Sequence, residues 1–130
     1  MSVLSLDFLY TPTDDVDAAI AQHVEAFGAV LEWKVRAMDT VVACLRVAET
    51  GPKVLLTEHL EGDAPVLVYR VADYADAVAR LRAAGVTGIR ELEIPHGPCA
   101  SFVTANGQRA AVYELVRPGA MTFFDGRFDD

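Results

Sequence analysis

Two glutamates carry the most suggestive chemistry in this sequence. Glu58 and Glu114 lie 56 residues apart in matching apolar runs, Lys53–Glu58 and Gln108–Val116. Two carboxylates facing each other in an apolar groove would repel and lose solvation, which favours a shared proton. One could then act as an acid and the other as a base on a small oxygenated substrate, with His96 polarising it. The competing reading is that each glutamate accepts hydrogen bonds from a neighbour and has no catalytic part. His59 and His96 are further candidate ligands; His59 follows Glu58 directly, so it points to the opposite face unless the strand ends there. His96, between Pro95 and Gly97, is freer to turn inward. His23 reads as a helix-flank group, and Arg36 and Arg46 read as surface residues that could also neutralise a carboxylate or a substrate anion. The two cysteines, Cys44 and Cys99, read as small, buried and reduced, with a reactive Cys99 thiol as the alternative.

The elements that must position these groups recur in one order. Val3–Tyr10 has the composition of a strand. Asp14-Asp15 can then cap a helix whose apolar stripe, Val16, Ala19, Ile20, Val24 and Phe27, ends at Gly28. Strand candidates follow at Val30–Met38, Val41–Val47 and Lys53–Glu58. In the first of these Leu31, Trp33 and Val35 alternate with Glu32, Lys34 and Arg36, so Trp33 is a core filler or the wall of a groove. The order then repeats: a strand at Val66–Val71, a cap at Asp73, a helix with Tyr74, Ala77, Val78 and Leu81 on its apolar face, and a stop at Gly85. Strands at Ile89–Ile94, Cys99–Ala105 and Gln108–Val116 complete it, the last two joined by the hairpin signal Asn106-Gly107. The helix starts match at an offset of 58, and Thr50-Gly51-Pro52-Lys53 matches Asn106-Gly107-Gln108-Arg109 at 56. This predicts one domain over residues 1–117, with a first module over about 1–60 and a second over about 65–117. A tail, 118–130, carries Phe123, Phe124 and Phe128; it docks on the domain or on a second subunit, or it frays.

With 130 residues the chain supports one compact domain. Eleven basic residues against nineteen acidic ones, a net charge of −8 with scattered arginines, argue against nucleic acid and anionic membranes. No apolar run approaches the roughly 18 residues of a membrane span, and no secretory signal precedes the first strand, so the expected location is cytoplasmic.

The doubled βαβββ order, with the closing segment Pro95-His96-Gly97-Pro98, Phe102, Asn106-Gly107 and Tyr113-Glu114-Leu115, resembles the vicinal oxygen chelate superfamily of glyoxalase I, bleomycin-resistance proteins and extradiol dioxygenases. The resemblance implies an α+β fold in which two βαβββ modules form a curled mixed sheet around a cleft. It also implies four metal-ligand positions, two of which match Glu58 and Glu114. The other two, histidines in the metalloenzymes, fall on Phe8 and Val66. Loss of both imidazoles argues against a tight metal and leaves at most a weakly held Mg²⁺ on Glu58 and Glu114. The expectation is therefore a homodimeric protein that binds a small organic molecule in a cleft lined by Phe8, Tyr10, Trp33 and Phe102. The alternative is a metal-free or weakly Mg²⁺-dependent lyase or isomerase in which Glu58, Glu114 and His96 are catalytic.

Overall fold

Two aspartates set the helices in place. In the computed structural model, which describes residues 2–37 and 39–130, Asp15 accepts from the Ala18 amide and Asp73 from the Asp76 amide, each at 3.0 Å. Of the expected Asp14-Asp15 pair it is Asp15 that caps, and Asp73 caps as expected; they begin α1 (Val16–Phe27) and α2 (Tyr74–Ala83). Gly28 closes α1 in the left-handed region at φ 68°, which a side chain would strain. The eight strands are β1 (Val3–Pro12), β2 (Val30–Ala37), β3 (Thr40–Arg46), β4 (Lys53–Thr57), β5 (Val66–Val71), β6 (Arg90–Ile94), β7 (Gly97–Val103) and β8 (Arg109–Tyr113). The result is an α+β chain of two βαβββ modules. Met38, the last residue of one predicted strand, and Met1 lie outside the described residues.

The chain divides into two compact units, Phe8–Pro65 with Thr122–Asp130, and Met1–Asp7 with Val66–Met121. β1 therefore contributes its first half to one unit and its second half to the other. In the unit of residues 8–65 the strand order is β2-β3-β4-β1, with β1 and β4 parallel and the rest antiparallel. Its core is Val16, Ala29, Val41, Ala43, Leu45 and Leu56, packed with Ile20 and Val54 between α1 and one face of the strands. Each fully buried leucine here contributes about 2 kcal/mol of transfer free energy. Lys34 joins this layer, its ammonium 2.6 Å from Asp17 in the first turn of α1.

In the other unit the order is β1-β5-β8-β7-β6, with β5 and β8 parallel. Its core is Val71, Ala77, Val78, Ala100 and Val112, with Tyr69, Leu81 and Phe102 packed against it beneath α2. No helix among the described residues is long and apolar enough to cross a membrane.

The tail docks on its own chain. After a turn of 3-10 helix at Pro118–Met121, it runs beside β2: the Gly126 amide donates to the Glu32 carbonyl at 2.9 Å, the Lys34 amide to Arg127 at 2.8 Å, and the Asp129 amide to Lys34 at 2.8 Å. The exposed edge of β2 is thereby covered.

Candidate functional site

Strand parity decides which residues face each helix and which are left for other work. On β4, Val54 and Leu56 turn toward α1, so Lys53, Leu55 and Thr57 occupy the opposite, helix-free face. Pairing places Phe8 and Tyr10 beside Lys53 and Leu55, Cys44 beside Leu55, and Trp33 beside Cys44 on that same face. The alternation expected for Leu31, Trp33 and Val35 is broken by a register shift between Leu31 and Trp33. This bulge leaves Leu31 under α1 and turns Trp33 to the helix-free side, where its ring stands 5.3 Å from Phe124 of the tail. Trp33 is therefore not a filler of the core beneath α1. Glu32, the extra residue, meets Lys53 at 2.5 Å and Arg46 at 3.7 Å.

His59 is the polar centre of this face. β4 ends at Thr57, which frees His59 to fold back: its Nε2 lies 2.8 Å from the Tyr10 hydroxyl, and its Nδ1 lies 2.7 Å from Thr57 Oγ1 and 3.0 Å from Thr40 Oγ1. Both tautomers satisfy this set, because the ring nitrogen with the proton donates to a hydroxyl oxygen and the other accepts from one. Burial raises the Tyr10 phenol pKa despite its hydrogen bond with Thr57, so the group stays neutral at physiological pH.

The corresponding face of the other unit carries a charged group of different make-up. Arg70 and Tyr113 are register partners on β5 and β8, and their side chains turn away from the core under α2. Asp7 accepts from Ser5 Oγ at 2.6 Å, from Arg70 Nε at 2.8 Å and from the Tyr113 hydroxyl. Burial alone would raise the Asp7 pKa, but these hydrogen bonds and the Arg70 charge outweigh it and hold the carboxyl below its ordinary value. Burial, and then the Asp7 carboxylate, push the Tyr113 phenol well up. The His96 ring meets Tyr113 edge to face at 5.7 Å, and burial pulls its pKa below 6.5. Neither cysteine fits a nucleophile: burial pushes Cys44 to about 12 and Cys99 to about 11, and both are free.

The glutamates stand elsewhere. Glu114 Oε1 accepts the amide of Tyr74 at 2.8 Å, a second acidic partner at the positive end of α2. Glu58 lies beyond the end of β4 and is exposed, and the positions whose parity it would continue, Val54 and Leu56, pack under α1. The parity of the glutamate position, shared with Leu56 in one module and Val112 in the other, leads to the helix side in each. Phe102 also belongs to the core beneath α2 rather than to a ligand-lining surface. Phe8, Tyr10 and Trp33 do share one face. No site role is assigned to Asp7, Arg70 or Tyr113 from the sequence, which disfavours His59 as a ligand unless its strand ends before it, as β4 does at Thr57.

Two βαβββ modules in this strand order define the vicinal oxygen chelate fold, and the resemblance seen in the sequence holds at the level of fold. Solved structures with this architecture include methylmalonyl-CoA epimerase from Mycobacterium tuberculosis, with TM-score 0.71, 20% identity, and 92% of this chain covering 93% of that one. A Streptomyces coelicolor methylmalonyl-CoA epimerase variant in complex with 2-nitronate-propionyl-CoA gives TM-score 0.71 at 14% identity, covering 88% of this chain and 99% of that one. A methylmalonyl-CoA epimerase in complex with methylmalonyl-CoA and NH4+ gives TM-score 0.71 at 14% identity, with 89% and 97% covered. At such identities the likeness establishes the fold. No protein-family profile matches the sequence, and neither does any curated protein.

The divalent metal that this fold family implies does not suit the residues present. Phe8 and Val66, each 8% exposed, are apolar where imidazoles would stand. Glu114 is engaged by the α2 amide, and among the described residues no three His, Cys, Asp or Glu gather as a ligand set.

Proposed function

We propose that this protein binds a small, partly apolar organic molecule on the helix-free face of residues 8–65, without a tightly held metal. The observation that carries this reading is the Tyr10–His59–Thr57 hydrogen-bonded group at one end of a face that also holds Phe8, Leu55 and Trp33. Such a surface offers apolar area for a ring or chain and convergent polar groups for one oxygen function. The CoA esters in the epimerase complexes make CoA thioesters one class to test, although a net charge of −8 opposes a polyphosphate handle.

The alternative, a metal-free or weakly Mg²⁺-dependent lyase or isomerase using Glu58 and Glu114, has against it the commitment of Glu114 to the Tyr74 amide. A homodimer is the assembly that accompanies the binding reading, and sedimentation should return twice the mass of one chain.

Trp33, the single tryptophan, supplies the test. Titration with small oxygenated aromatic compounds and with CoA thioesters should give saturable quenching that is unchanged by EDTA or added Mg²⁺. No saturable response from either class, or one that requires metal, would contradict the proposal. Turnover that is lost in Glu114→Gln while quenching persists would favour the enzyme alternative.

A further inference from the structure

From Thr122 onward the tail packs with residues 8–65. Phe124 sets its ring 5.3 Å from Trp33, on the helix-free face that also holds Phe8, Tyr10 and Leu55. Asp125, next in the chain, is near enough to act electrostatically on Lys53 and Cys44 of the same face. The tail therefore takes up apolar area beside Trp33 that the ring or chain of a ligand would use.

Two kinds of contact hold it. Some lie within the tail: Phe123 against Phe124 at 5.0 Å, the Arg127 guanidinium 6.0 Å over the Phe124 ring, and Arg127 on Asp129 at 2.9 and 3.0 Å. These travel with the segment and do not resist its departure. The contacts to β2 are the Phe124–Trp33 ring pair, three main-chain hydrogen bonds from the amides of Lys34, Gly126 and Asp129, and two bonds from Arg36. Arg36 donates from its amide to the Asp129 carboxylate at 2.9 Å and from Nε to the Asp130 carbonyl at 2.6 Å. Of residues 122–130 only Phe124 and Asp129 are partly buried; the others are exposed. A segment held by main-chain bonds at a sheet edge and one half-buried ring opens at a small fraction of the free energy that unfolds the core.

Resting on the binding reading above, we propose that residues 122–130 form a displaceable strap that holds Phe124 on Trp33 in place of the ligand, so that binding requires its release. A ligand that binds only the open form has its apparent affinity reduced by the fraction of chains that are open, and loosening the strap raises that affinity. A lid that closed over a ligand would behave in the opposite way.

The test uses the full chain and two variants. Phe124→Ala removes the ring. Gly126→Pro keeps the ring but removes the amide that bonds the Glu32 carbonyl, and proline cannot adopt the φ of 80° found there. Both should raise acrylamide quenching of Trp33 several-fold. Both should also tighten binding of acetophenone, a neutral ring with one carbonyl, about fivefold, the equivalent of one aromatic pair. In the unaltered chain, saturating acetophenone should speed amide hydrogen exchange at Gly126 and Asp129 and not at Leu45 or Leu56. Weaker or unchanged binding in a folded variant, slower exchange in the tail, or unchanged acrylamide access would overturn the proposal. No binding by acetophenone or a CoA thioester in any chain, with acrylamide access raised in both variants, would contradict the binding reading and uphold the strap.

Discussion

The two modules repeat one plan on their helix sides and diverge on the opposite faces. Asp15 and Asp73 cap their helices with the same 3.0 Å hydrogen bond, and each helix covers a core of alternate strand residues. On the other face, residues 8–65 with the tail carry hydroxyls, an imidazole, the Trp33–Phe124 pair and the Lys53–Glu32 ion pair, whereas residues 66–121 with the first half of β1 carry an Asp–Arg–Tyr group. A core is held to close packing, since volume changes there are costly, while a face without a helix is freer to carry different chemistry.

The largest expected effect breaks this symmetry at the backbone. At the offset of 56, Gly97 of β7 corresponds to the buried Val41 of β3, so one module accepts a side chain at this point. The other does not: a Cβ on Gly97 would stand 2.1 Å from the Glu114 carbonyl oxygen and 3.0 Å from Val116 Cγ2. Gly97→Ala should therefore cost more than about 3 kcal/mol in urea denaturation, by forcing β7 from the segment after β8.

Asp7→Asn comes next, at about 2–3 kcal/mol, because it leaves Arg70 without its counter-charge. The pH dependence has a definite sign. A carboxyl held below 3.8 stabilises the fold fully above the unfolded value and loses that contribution as pH falls through the lower folded value, so the variant should show a flatter acid limb. His96 acts in a higher window. Its pKa is held below 6.5 by burial, so under that pH the unfolded chain takes up a proton that the folded chain refuses, and stability declines; His96→Gln should remove this slope.

The smallest effect concerns the tail. Phe124→Ala should cost about 1 kcal/mol and red-shift Trp33 emission, since the ring pair at 5.3 Å is lost. An unshifted spectrum would mean that Phe124 does not pack on Trp33 in solution.

Helices, caps and the duplicated order were legible because each is written locally: an aspartate, a 3.6-residue stripe, a glycine stop. Sites were less legible for three physical reasons. Alternation separates the two faces of a strand but does not say which one meets a helix, so the placement of Val54 and Leu56 under α1 follows from packing and not from the pattern. The bulge at Leu31–Trp33 and the end of β4 at Thr57 are set by pairing, not by residue type. The Asp7 group joins residues 63 and 106 positions apart, a proximity that no local pattern records.

The central claim is that ligand recognition rests on the Tyr10–His59 face and not on the duplicated glutamates. Its most direct test compares Trp33 quenching by the tightest organic binder in two variants, Tyr10→Phe with His59→Ala, and Glu58→Gln with Glu114→Gln. The first pair should weaken binding at least about tenfold, the cost of roughly 1.4 kcal/mol of hydrogen bonding, and the second should leave it unchanged. Retained affinity in the first pair, with loss in the second, would contradict the account.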